Sequence, residues 1–156
     1  MGFRYIMQVA NAIVIPEIDR LLREGHEVVF TPKGQSMRPF IHGGQDSVTL
    51  VRPSRLTVGD ILLCEPTPHQ YVLHRLVAID GERLTLMGDA NLQGIEHCAP
   101  CDVIGKVITI THPDGSTRRP GKARIWRWFL PLRPWLLKLY RRYENQTRIQ
   151  TSPVRG

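Results

Sequence analysis

No apolar run in this chain lasts long enough to cross a bilayer. A spanning helix needs ~20 mainly apolar residues, whereas the amino-terminal run over residues 6–15 is ten long and is interrupted by Gln8 and Asn11. That run also lacks the charged start and small-residue cleavage site of a secretory signal. The expectation is a cytoplasmic protein, at most peripheral on the inner face of the membrane. Cysteine is scarce: three residues, an odd number, exclude a disulfide framework as the main support of the fold and suit a reducing compartment. Cys98-Ala99-Pro100-Cys101 with His97 resembles half of a metal or redox site. A zinc site needs four ligands and the remaining cysteine is Cys64, so the segment is read as a turn with two thiols and no metal is expected. No internal repeat or low-complexity stretch is present.

Acidic residues are missing from one region. Residues 118–142 hold nine basic side chains and no acid, which leaves 12 basic against 14 acidic elsewhere. The formal charge of +7 therefore belongs to the carboxyl-terminal part. This segment also holds all three tryptophans, Trp126, Trp128 and Trp135. At ~100° per residue, Arg124, Arg127, Lys138, Arg141 and Arg142 cluster on one helical face, with Pro131 and Pro134 breaking the continuity. Basic, tryptophan-rich helices of this kind suit an anionic membrane surface. The competing readings are a helix packed on the core with its basic face in water and, with less support, a nucleic-acid contact.

What is present is the material of a mainly β domain. The chain of 156 residues can form a single core, and 42% hydrophobic content with 12 prolines and 13 glycines suits short strands joined by turns. Strands are expected over 27–32, 47–51, 60–64, 71–79, 83–87 and 103–111, with a tight turn at Asp80-Gly81-Glu82. A short helix is expected from Pro16 to Gly25, burying Ile18, Leu21 and Leu22 at i, i+3 and i+4. The expected organisation is an amino-terminal segment with its packing helix (1–26), a β core (27–112), a basic carboxyl-terminal helical segment (113–144) and a disordered tail (145–156).

Chemistry concentrates in three short words: Gly34-Gln35-Ser36-Met37-Arg38-Pro39, Val72-Leu73-His74-Arg75 and Met87-Gly88-Asp89. A serine hydroxyl is a weak nucleophile at neutral pH and needs a base within hydrogen-bond reach, itself oriented by a third group. Histidine serves as that base without the desolvation a lysine requires. Each word also has a bland reading: a turn fixed by Pro39, a strand histidine, and a Gly-Asp turn between hairpin strands.

The ordered set resembles the type I signal peptidases and the LexA-like self-cleaving repressors, which share one β-rich catalytic domain. Ser36-Met37-Arg38-Pro39 is similar to the nucleophile motif of that superfamily. Asp46-Ser47-Val48, Val58-Gly59-Asp60-Ile61, Gly88-Asp89 and Gly105-Lys106-Val107 resemble its later words. The likeness spans about residues 30–110. Bacterial members place lysine before the arginine, while the archaeal and endoplasmic-reticulum branch places histidine there. His74-Arg75 resembles the histidine branch, and none of the four lysines falls at the matching point.

The resemblance implies a serine endopeptidase with Ser36 as nucleophile and His74 as base, acting on a peptide or protein substrate without a cofactor. The third member is Asp89 or Glu96; Asp89 is expected, because it lies inside the matched Gly-Asp word. Relatives supply an oxyanion donor from a hydroxyl two residues before the nucleophile. Gly34 stands there in this chain, so the oxyanion falls to backbone N–H groups around Ser36. The substrate implied is an extended leader- or signal-type peptide with small side chains before the cut, or a stretch of this chain itself. Two alternatives remain: a catalytically silent peptide-binding module of the same fold, and a LexA-like regulator associated with DNA.

Overall fold

A computed structural model describes residues 2–7, 13–90 and 94–122, together with 135, 138, 139 and 142. The chain divides into two compact units, Met1–Lys122 and Ala123–Gly156.

The first unit is mainly β. Its elements are β1 (Arg4–Met7), α1 (Ile15–Arg23), β2 (Glu27–Phe30), β3 (Ser47–Val51), β4 (Ile61–Thr67), β5 (Gln70–Asp80), β6 (Arg83–Met87), β7 (Ile95–Cys98), a 3₁₀ turn (Pro100–Asp102), β8 (Val103–Thr111) and β9 (Thr117–Arg118). They form one sheet in the order β1-β2-β3-β8-β4-β5-β6-β7, with β9 beside β8. β1 runs parallel to β2 and every other pair is antiparallel. The first unit continues past residue 112 because β9 pairs with the end of β8 and Lys122 reaches the buried Asp60.

α1 starts with Pro16 in its first turn, where a missing N–H costs nothing, and Gly25 follows it at φ +87°. Its buried face is Ile15, Ile18, Leu21 and Leu22. These side chains close one core with Val28, Phe30, Val48, Leu50, Ile61, Leu63, Val107 and Ile110. A second core holds Leu62, Cys64, Leu76, Leu84, Leu86, Cys98 and Val103. Successive side chains on a strand face opposite ways, so β4 sends Ile61 and Leu63 into the first core and Leu62 and Cys64 into the second. Register shifts in the β4/β5, β4/β8 and β5/β6 ladders add local twist. The far end of the sheet curls until β7 touches β4, although two strands separate them in the ladder.

Among the described residues, no helix is long and apolar enough to cross a membrane. Of the basic carboxyl-terminal segment, Arg124, Arg127, Arg141, Trp126, Trp128 and the tail 145–156 lie outside the described residues.

Gly105 of β8 marks the closest approach of helix to sheet. A Cβ there would lie 2.7 Å from Leu22 Cδ1 and 3.4 Å from Leu50 Cβ. Gly105→Ala is expected to lower stability by about 1–3 kcal/mol through overpacking. Adding Leu22→Ala, which vacates the space, should give a double variant less destabilised than the two single losses summed. Urea denaturation of the four proteins measures this, and strict additivity would exclude the clash as the cause.

Candidate active site

The 31–46 loop between β2 and β3 carries Ser36. Its base is tied by the Gly44 N–H donating to Pro32 O (2.8 Å) and by Thr31 Oγ1 against Ser47 Oγ (3.0 Å). The residue after the serine, Met37, is buried with Ile41 in the first core. A one-turn bend follows, in which the Phe40 and Ile41 amides donate to Met37 O. Gly34 adopts φ +90°, a left-handed conformation that favours glycine. A Cβ on Gly43 would fall 1.8 Å from Gly34 O, so the two arms of the loop touch backbone to backbone.

The loop brings Ser36 Oγ to 3.1 Å from His74 Nε2. Nδ1 of the same ring lies 2.8 Å from Glu96 Oε2. The His74 side chain is 7% exposed and that of Glu96 31%. A cleft of about 130 Å³ opens beside the pair, bounded by Pro32, Lys33 and Gly34 on one side and Tyr71, Val72 and Leu73 on the other.

The structure brings together Ser36 and His74 as the sequence suggests, but the third position goes to Glu96 rather than Asp89. Asp89 accepts two hydrogen bonds from Arg75, Nε to Oδ1 at 2.8 Å and Nη2 to Oδ2 at 2.7 Å, with both side chains buried. Strand alternation is the reason: His74 and Arg75 are neighbours on β5 and face opposite ways. A carboxylate that clasps Arg75 lies on the other side of the sheet from the imidazole. Glu96 is on the right side, because Leu76 pairs with Leu86 and Leu86 with Glu96. Residues opposite one another in a ladder share a face, and Leu76 shares a face with His74.

Asp89 nevertheless serves the site. The Ala90 N–H beside it donates to Ser36 O (2.8 Å). Arg75 also donates from Nη1 to Gly59 O and Gly121 O (2.8 Å each), and its guanidinium lies 5.3 Å from the Phe40 ring centroid. One buried cation thus fastens the loop of Ser36, the segments at Gly59 and Asp89, and the stretch at Gly121 near the end of the first unit.

His42 and His112 have a structural task. Asp46, buried at the end of the loop, accepts from the His42 N–H (2.8 Å) and from His112 Nδ1 (2.9 Å). Arg118 Nε donates to His112 Nε2, which selects the tautomer with its proton on Nδ1. Burial alone would push the Asp46 carboxyl up. The hydrogen bonds from the His42 amide and from His112 work against that, and its pKa lies below the ordinary carboxylate value. Nothing local in the sequence signals the Asp46–His112 pair, whose members are 66 residues apart.

Among the described residues, no group of histidine, cysteine and acidic side chains is arranged to hold a metal ion. The arrangement can move a proton from an alcohol to an imidazole held by a carboxylate. In comparisons with known proteins, the chain matches no family model and no curated protein.

The two carboxylates should separate in stability measurements. Asp89→Ala strands a buried guanidinium and is expected to cost about 3–5 kcal/mol. Glu96→Gln, at a partly exposed pair, should cost about 1 kcal/mol or less. Equal losses in denaturant unfolding would contradict the division of roles.

Proposed function

We propose that this protein is a serine endopeptidase cleaving an extended leader- or signal-type peptide, or a stretch of its own chain, on the LexA-like and signal-peptidase β domain that its motifs resemble. The observation that carries this reading is the continuous relay from Ser36 Oγ through His74 to Glu96, with spacings of 3.1 and 2.8 Å.

In this mechanism Ser36 Oγ attacks the scissile carbonyl carbon while its proton passes to His74 Nε2. Glu96 accepts the Nδ1–H, fixes the ring and stabilises the imidazolium without taking the proton. The negative oxygen falls within reach of backbone N–H groups next to the nucleophile. Neither the Ser36 nor the Met37 amide donates a hydrogen bond among the described residues, so both are available. As the tetrahedral species collapses, His74 returns the proton to the departing amine. Water then hydrolyses the Ser36 ester with His74 again as base. Acyl transfer of this kind needs no metal or organic cofactor.

The strand geometry supports an extended substrate. The first half of β5 pairs with β4 along one edge, and its pairing with β6 begins at Arg75. The other edge of Tyr71, Val72 and Leu73 borders the cleft, with Pro32, Lys33 and Gly34 opposite. A peptide laid there as an added strand hydrogen-bonds through its backbone. At about 130 Å³ the cleft is smaller than a ~150 Å³ cavity that takes one benzene, which favours small side chains near the cut.

A fluorophosphonate probe should label the wild-type protein and not Ser36→Ala. Peptide hydrolysis is expected to vanish in His74→Ala and to fall roughly 10²–10⁴-fold in Glu96→Gln. Asp89→Asn, wherever it stays folded, should retain far more activity than Glu96→Gln. A folded wild-type protein that resists the probe and binds peptides uncut would instead be a silent docking module.

Attachment to an anionic membrane surface is also proposed. Trp135, Lys138, Leu139 and Arg142 occupy helical positions i, i+3, i+4 and i+7 and line one groove of the second unit. Trp135 is 62% and Leu139 52% exposed. Indole and leucine at the acyl boundary with cations at the headgroups match an interfacial helix. Sedimentation with vesicles containing phosphatidylserine should exceed that with phosphatidylcholine alone and fall about fivefold in Lys138→Ala, the loss expected for one cation. Binding to DNA but not to vesicles, with steep salt dependence, would point to a nucleic-acid partner instead.

A further inference from the structure

Two thiols meet where the curled sheet has no backbone ladder. Cys64 lies in the middle of β4 and Cys98 at the end of β7, strands that touch although two others intervene in the sheet. Both side chains are buried in the second core, Cys64 completely and Cys98 at 8% exposure, and both are free. The ladders place them on one face: Cys64 pairs with Val72 and Leu62 with His74, while Cys98 pairs with Leu84 and Glu96 with Leu86. That face is the one carrying His74 and Glu96. Cys98 is two residues beyond Glu96 on a four-residue strand whose one ladder is to β6.

We propose that Cys64 and Cys98 are a reversible disulfide site that staples β7 to β4 and so clamps the strand carrying Glu96 beside His74. The bond itself is independent of the peptidase reading; its effect on Glu96 rests on that reading.

The two sulfurs are unequal, which sets the order of events. A hydrogen bond to Cys98, together with burial, pushes the Cys64 thiol well up. The same hydrogen bond from Cys64 brings the Cys98 thiol down. Cys98 is also the more accessible, at the end of a short edge strand, whereas Cys64 is completely buried, so Cys98 is the attacking thiolate and Cys64 the resolving thiol. With a small disulfide such as oxidised glutathione as oxidant, the Cys98 thiolate attacks one of its sulfurs and releases one glutathione thiolate. Cys64 then loses its proton, attacks the Cys98 sulfur of the mixed disulfide and releases the second glutathione. The two cysteines lose two protons and two electrons, and oxidised glutathione becomes two thiols. Because β7 is a short edge strand, its fraying admits the oxidant.

Cys101 is the alternative partner for Cys98 by sequence, but it lies exposed within the 3₁₀ turn with its thiol toward Asp102 (3.8 Å). Its exclusion is part of the proposal.

The full chain is incubated with oxidised glutathione, alkylated in denaturant, digested and mapped by mass. The expected result is loss of two of the three thiols and a cross-linked peptide pair containing Cys64 and Cys98, formed equally in Cys101→Ala. The melting temperature should rise by about 10 °C on oxidation, fall back with dithiothreitol, and not move in Cys98→Ala or Cys64→Val. Three thiols remaining free, a Cys98–Cys101 bond, or an unchanged melting temperature overturns the staple. In a hydrolysis assay the oxidised form should be several-fold faster than the reduced form, a difference absent in Glu96→Gln. If no hydrolysis is found, thiol mapping and melting still decide the disulfide, and the failure belongs to the peptidase reading.

Discussion

The buried pair of Arg75 and Asp89 is the interaction on which the rest of the first unit depends. Both side chains are within 2% of complete burial, so each charge is tolerable only with the other in place. The guanidinium uses its remaining donors on two backbone carbonyls and lies near the Phe40 ring. Segments far apart in sequence therefore share one cation. Among them is the loop of Ser36, held again where Ala90 donates to the carbonyl of Ser36. The geometry at the hydroxyl is thus inherited from an ion pair on the opposite side of β5.

That division into two sides organises the site. β5 contributes an imidazole to one face and a guanidinium to the other from adjacent residues, and the ladders through β6 and β7 carry the first face across to Glu96. The contacts of His74 with Ser36 and Glu96 thus follow a strip of sheet whose other members are leucines, valines and cysteines, an apolar setting in which an imidazole–carboxylate contact is stronger than in water. Asp46 has a parallel task at the far end of the loop, where two histidines and Arg118 fix a second buried carboxylate. The loop is held at its far end by Asp46, at Ser36 by the Ala90 amide and in between by the buried Met37.

Much of this could be read from the sequence, and the failures share one cause. β3, β6 and β8 run as their β-branched and aliphatic pattern predicts, and α1 buries the leucines and isoleucine that its spacing selects. Ser36 and His74 meet because each lies in a word with strong local constraints. Asp89 was favoured over Glu96 because it adjoins a recognisable Gly-Asp, but which carboxylate reaches the ring depends on register and strand parity across three strands. Local words carry neither. β1 and β7 escape for a similar reason. Arg4–Met7 is a strand through its parallel pairing with residues 27–30, and Ile95–Cys98 mixes charged and apolar residues in only four positions. The task of His112 depends on a partner 66 residues away.

The recessed edge of β5 has a consequence for what can enter. Its unpaired stretch is about three residues long and shares a cleft of about 130 Å³ with Pro32, Lys33 and Gly34. For the peptide proposed as substrate, a strand already paired in a folded domain would bring its neighbours with it, so a cleft of this size selects for local disorder in the visitor before any side chain is inspected.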